Sequence, residues 1–124
     1  MIDHIELRTR DLAASVRFYA AVLEPLGYRQ TVAGAAKGFG DALGPDFFLI
    51  AGEPADQAHY AFRAASRAIV RACYEKGSAF SALERPPALA PQVHANYYAA
   101  YLRDPDGGSW SSPATKRSSD LASC

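Results

Sequence analysis

Shifted by 55 residues, the chain falls back on itself. His4 lands on His59, Arg8 on Arg63, Asp11 on Ser66, Ala13 on Ala68 and Tyr19 on Tyr74. The same parts recur in the same order: a strand histidine, a strand arginine, a capping residue, a helix tyrosine. Such a repeat points to one supersecondary unit used twice, and it restricts the fold before any local propensity is consulted. A length of 124 residues suits one compact domain, or two half-domains sharing a core.

Each half can be read locally. Ile5 and Leu7 alternate with His4, Glu6 and Arg8, as a half-buried strand requires. Asp11 offers an N-cap, and Leu12, Val16, Tyr19, Leu23 and Leu26 form the apolar stripe of an amphipathic helix. Pro25 and Gly27 are its stop signal. Short strands are predicted around 29–32, 37–40 and 46–51, with glycines and Pro45 in the turns. The second half restarts with Tyr60 and Phe62 on one strand face and His59, Ala61 and Arg63 on the other. Ser66 then caps a helix running through Ile69, Val70 and Cys73 towards Gly77. Residues 81–91 are proline-rich and read as a loop with one poor strand. Residues 96–103 read as a strong strand, with Tyr97, Ala99, Tyr101 and Arg103 on one side. Asp104-Pro105-Asp106-Gly107 is a tight turn. Residues 111–124, rich in Ser, Thr and charge, read as a frayed tail. Each half is thus β-α-β-β-β, and the pair makes an α+β domain with a curved sheet.

Charge and cysteine usage exclude several classes. Thirteen basic residues balance thirteen acidic ones, which gives no electrostatic footprint for nucleic acid or an anionic membrane. No apolar run approaches the ~20 residues of a membrane span. The opening MIDHIELRTR is charged from its third residue, unlike a signal peptide. Two cysteines, Cys73 and Cys124, supply neither a disulfide framework nor a Cys-x-x-Cys zinc pattern. A soluble cytoplasmic protein is expected.

The segments MIDHIELRTRDLAASVRFYAAVLEPLGY, HYAFRA and NYYAAYLRDPDG resemble the vicinal oxygen chelate superfamily of glyoxalases, bleomycin- and fosfomycin-resistance proteins and extradiol dioxygenases. The resemblance covers about residues 1–110. It implies two βαβββ modules, about 1–55 and 56–110, forming a curved, partly open barrel-like mixed sheet with helices outside. It also implies a homodimer and one divalent metal ion (Zn, Ni, Mn or Fe), held by first-strand residues of each module and by a last-strand glutamate. Carried onto this chain, the first-strand positions are His4 and His59. The glutamate position, four residues beyond Gly107, is Ser111, and the strand 47–50 offers no further ligand. The sequence after Gly108 departs from the family throughout. Two imidazoles without a carboxylate hold a divalent ion weakly, so the metal is expected to be weakly held or absent.

The remaining candidates follow from these positions. Glu6 faces the same way as His4, as a general base or replacement ligand, or as an ion-pair partner of Arg8 or Arg63. Tyr101 is the second catalytic candidate, able to orient or protonate a ligand oxygen. Tyr97, Arg103 and His94 are candidate substrate-binding residues, His94 at a cavity mouth. Two functions stay open. One is a metal-dependent lyase, isomerase or transferase on a small oxygen-rich metabolite; the other is a metal-free sequestering protein of the bleomycin-resistance type.

Overall fold

In the computed structural model, which describes residues 1–56, 58–80, 83–93 and 95–114, the repeat is realised element by element. The first module runs β1 (Ile5–Thr9), α1 (Leu12–Val22), a 3-10 turn (Glu24–Leu26), β2 (Arg29–Ala33), β3 (Lys37–Asp41) and β4 (Gly44–Ala51). The second runs β5 (His59–Ala61), α2 (Arg67–Ser78), β6 (Leu83–Leu89), β7 (Tyr98–Arg103) and β8 (Ser109–Ala114). Both caps are as the repeat requires. The Asp11 carboxylate accepts the Ala14 N–H at 3.0 Å, and the Ser66 hydroxyl accepts the Ile69 N–H at 3.2 Å.

Each module closes its own four-stranded sheet, in the orders β1-β4-β3-β2 and β5-β8-β7-β6. In both, the first strand pairs in parallel with the last, and the other pairs are antiparallel. The α+β class and the two βαβββ modules therefore stand. The strands form two separate sheets and no closed barrel.

Two segments correct the sequence reading. The proline-rich stretch read as a loop with one poor strand is a seven-residue strand, β6, for most of its length, paired in broken register. It is an edge strand, and Pro86 and Pro87 fall in a register shift between Arg85 and Ala88, where neither is paired with β7. The boundary drawn at residue 110 also moves. Residues 111–114, assigned to a frayed tail, complete β8, a middle strand of the second sheet that is buried from Trp110 onward. Residues 115–124 lie outside the described residues. The ladder tolerates Pro113 because β5 stops opposite Ser111, so Pro113 lies beyond its last pair. Its carbonyl accepts the Ala64 N–H at 2.7 Å.

One apolar core serves both modules. Leu7, Phe18, Tyr19, Phe39, Phe47 and Leu49 from the first join Cys73, Leu102 and Trp110 from the second. The helices α1 and α2 touch each other. Phe47 and Trp110 occupy matched places on the last strands, opposite Ile5 and Tyr60. The Phe62 ring lies between them, 5.1 Å from Phe47 and 5.8 Å from Trp110. Against α2, a Cβ on Gly77 would sit 2.7 Å from Leu102, so the helix approaches β7 closely only because that position is glycine. Strand alternation then fixes the opposite faces. With Ile5, Leu7 and Tyr60 turned to the core, His4, Glu6, Arg8 and His59 must point outward.

Candidate functional site

The outer face of the first sheet carries His4, Glu6 and Arg8. Glu6 pairs in register with Phe48 of β4 and Arg8 with Ile50. His4 is exposed, its Nδ1 2.7 Å from an Asp3 carboxylate oxygen, and its ring stands edge-on to Phe48 at 5.6 Å. It borders a cleft of about 270 Å³ with Tyr28, Asp46 and Phe62. There the Tyr28 hydroxyl donates to Asp46 at 2.8 Å, and burial followed by that carboxylate raises the phenol above its ordinary range.

The outer face of the second sheet is built differently. His59 Nδ1 lies 2.9 Å from the Ser109 hydroxyl, and His59 Nε2 lies 3.5 Å from the Ser111 hydroxyl. Parallel pairing of β5 with β8 produces this arrangement, setting His59 opposite Ser109 and Ala61 opposite Ser111. Tyr101 is opposite Ser111 on β7, its ring 6.1 Å from that of His59 and tilted by 30°. The Arg85 guanidinium lies over the Tyr101 ring at 5.4 Å, a cation–π distance. An imidazole, two hydroxyls, a phenol and a guanidinium thus gather on one sheet face.

The other candidates are placed as follows. Arg103 is taken up by its own hairpin, donating to Glu84 at 2.7 Å and to the Gly107 carbonyl at 3.0 Å. Tyr97 precedes β7, and its phenol is raised by burial first and by Tyr101 second. His94 lies outside the described residues. Glu6 forms no ion pair with Arg8 or Arg63 among the described residues; the pairs there are His4–Asp3, Arg10–Glu53, Arg10–Asp106 and Arg103–Glu84. Ser109 and Arg85 were missed from the sequence. Ser109 shares a strand face with Ser111, but that signal exists only once residues 109–114 are known to be a strand.

The Asp104–Gly107 turn acts at a distance from this face. Asp104 Oδ1 accepts the Asp106 and Gly108 N–H groups, while Oδ2 accepts the Tyr19 hydroxyl at 2.8 Å. Gly107 takes φ +83°, where a side chain would be strained. Asp106 Oδ1 accepts the Arg10 N–H at 3.1 Å. The turn of the second module is therefore fastened to the first. Tyr19 is fully buried, and burial with the Asp104 carboxylate raises its phenol well above the ordinary value.

His4 and His59 lie on outer faces of separate sheets and share no partner, and Ser111 stands where a carboxylate would be needed. No three His, Cys, Asp or Glu side chains are grouped for a metal among the described residues. No helix among them is long and apolar enough to cross a membrane.

Solved structures share this architecture. A glyoxalase/bleomycin resistance protein from Albidiferax ferrireducens T118 superposes with a TM-score of 0.77 at 27% identity, over 90% of this chain and 96% of that one. Lactoylglutathione lyase from Agrobacterium tumefaciens gives 0.66 at 22%, over 92% of both chains. The fosfomycin resistance protein FosX from Mesorhizobium loti gives 0.68 at 20%, over 95% of this chain and 94% of that one. No family model matches the sequence, and no curated protein matches it. With its paired βαβββ modules, the chain has the fold of these glyoxalase/bleomycin-resistance structures.

Proposed function

We propose that the protein binds a small oxygen-rich molecule on the outer face of its second sheet, without metal, in the manner of a sequestering protein. The observation that carries this reading is Ser111, whose hydroxyl lies 3.5 Å from His59 Nε2 at the place where the superfamily pattern implies a metal-binding carboxylate. Ser111 itself is buried beneath the face, and the accessible His59, Ser109, Tyr101 and Arg85 around it offer neutral donors and one cation. That set suits carbonyl, hydroxyl or carboxylate oxygens without an ion between. Tyr101 adds a ring face for a flat ligand body. The test is a thermal-shift and calorimetric screen of planar polyoxygenated compounds against chelator-treated protein. A binder is expected whose affinity survives chelation and falls about tenfold or more in Tyr101→Ala. A screen without any binder, or a binder that needs added metal, overturns the proposal.

A second reading is favoured by the matched outward positions of His4 and His59. Two copies could present the His4 face of one to the His59 face of the other, giving a homodimeric metal enzyme with Glu6 or Tyr101 as the proton-moving group. That reading expects a dimer by light scattering and stoichiometric metal in protein purified without chelator, both lost in His4→Ala. A metal-free monomer removes it.

A further inference from the structure

The geometry points to a second small-molecule site at the seam between the modules, shaped for a compact zwitterion carrying an ammonium and a carboxylate on a short apolar body. A cavity of about 370 Å³ lies where β1, residues 53–55, Ala58, β5 and the Asp104–Gly108 turn meet. Its volume falls in the range of small-ligand sites, and Leu7, Pro54, Ala55 and Ala58 give it apolar walls.

Its polar groups divide into two sets. Asp104 has both oxygens satisfied by Tyr19 and by backbone N–H groups of its own turn. Glu53 pairs with Arg10 at 3.0 Å, and Asp106 accepts the Arg10 N–H. The other set is Glu6, Arg8 and Tyr60, which also line the cavity. Among the described residues the side chains of these three make no hydrogen bond or ion pair. Glu6 and Arg8 are two residues apart on β1, so they share its outer side with backbone positions ~7 Å apart. An acid and a base that line one cavity without pairing are complementary to a ligand with both charges several bonds apart. A plain anion would meet the surrounding carboxylates, and a plain cation would meet Arg8.

The full-length chain, labelled for amide NMR, is titrated at low salt with 4-aminobutyrate. Butylamine and butyrate serve as single-charge controls. The zwitterion is expected to move the signals of Leu7, Ala55, Ala58 and Tyr60, binding at least tenfold more tightly than either control. Signals of His59 and Tyr101 should stay still, which keeps this site's fate separate from that of the sequestering face. Glu6→Gln should erase the advantage over butyrate, and Arg8→Gln the advantage over butylamine. Both side chains are exposed, so both variants should keep the parent melting temperature. Equal binding of all three probes, shifts at His59 and Tyr101 alone, or unchanged binding in both variants overturns the site.

Discussion

The outer face of the first module sets His4, Glu6 and Arg8 against Phe48 and Ile50, while that of the second sets His59 and Ala61 against Ser109, Ser111 and Tyr101. Phe48 and Ser111 are counterparts: each is the last-strand residue paired two places beyond the module's first-strand histidine. One module fills that place with a ring, the other with a hydroxyl. On the inner side the counterparts barely differ, since Phe47 and Trp110 both drive a buried aromatic into the common core. Burial holds the inner faces to large apolar side chains and leaves the outer faces free to diverge. The chemistry of the protein is accordingly sought on the side where the halves disagree.

If the inner faces are equivalent, emptying them should cost alike. Phe47→Ala and Trp110→Ala are each expected to lower unfolding free energy by about 3–5 kcal/mol in urea titrations. A loss in one variant less than half that in the other would break the equivalence. The turns should separate the modules more sharply. Asp104→Ala removes the acceptor of Tyr19 and of two backbone N–H groups, an expected loss of about 2 kcal/mol. Its counterpart Asp41 is exposed and accepts only the Leu43 N–H, so Asp41→Ala should stay within about 0.5 kcal/mol. The helix caps should restore the likeness, Asp11→Ala and Ser66→Ala each costing about 1 kcal/mol in the same titrations.

The smallest effect at neutral pH appears in alkali. Burial pushes the Cys73 thiol from 9.0 up to about 12. The folded state holds this proton more tightly than the unfolded chain does. Its contribution is therefore complete below pH ~9 and is lost as pH climbs towards 12. Tyr19 in the first module, also raised, adds its loss only above pH ~10, the ordinary phenol value. The urea midpoint should stay level from pH 7 to about 8.5 and fall beyond. Cys73→Ala should flatten the fall between pH 9 and 10, and Tyr19→Phe should leave that interval unchanged.

What could be read from the chain was what local physics enforces. The 3.6-residue stripe from Leu12 to Leu26 and the caps Asp11 and Ser66 gave both helices, and alternation gave β1, β5 and β7. The strand β6 was read only as one poor strand in a loop and most of β8 as a tail, because their residues contradict their structure: Pro86 and Pro87 in one, and SWSSPA in the other. Only their places in the sheet, an edge and a buried middle position, account for them. The site followed the same division. His59, Tyr101 and the serine at 111 were legible as positions, whereas Ser109 and Arg85 needed strand register to become neighbours.

In each sheet the strand that comes first in sequence pairs only with the one that comes last. During synthesis β5 consequently waits without a ladder partner until Ser109–Ala114 has emerged, and the sheet closes by insertion into its middle. A ribosome that stalled or stopped before Ser109 would release a chain with β5 and β7 unjoined and the core beneath Trp110 open to water, a species for the cell's quality control rather than a shortened working protein.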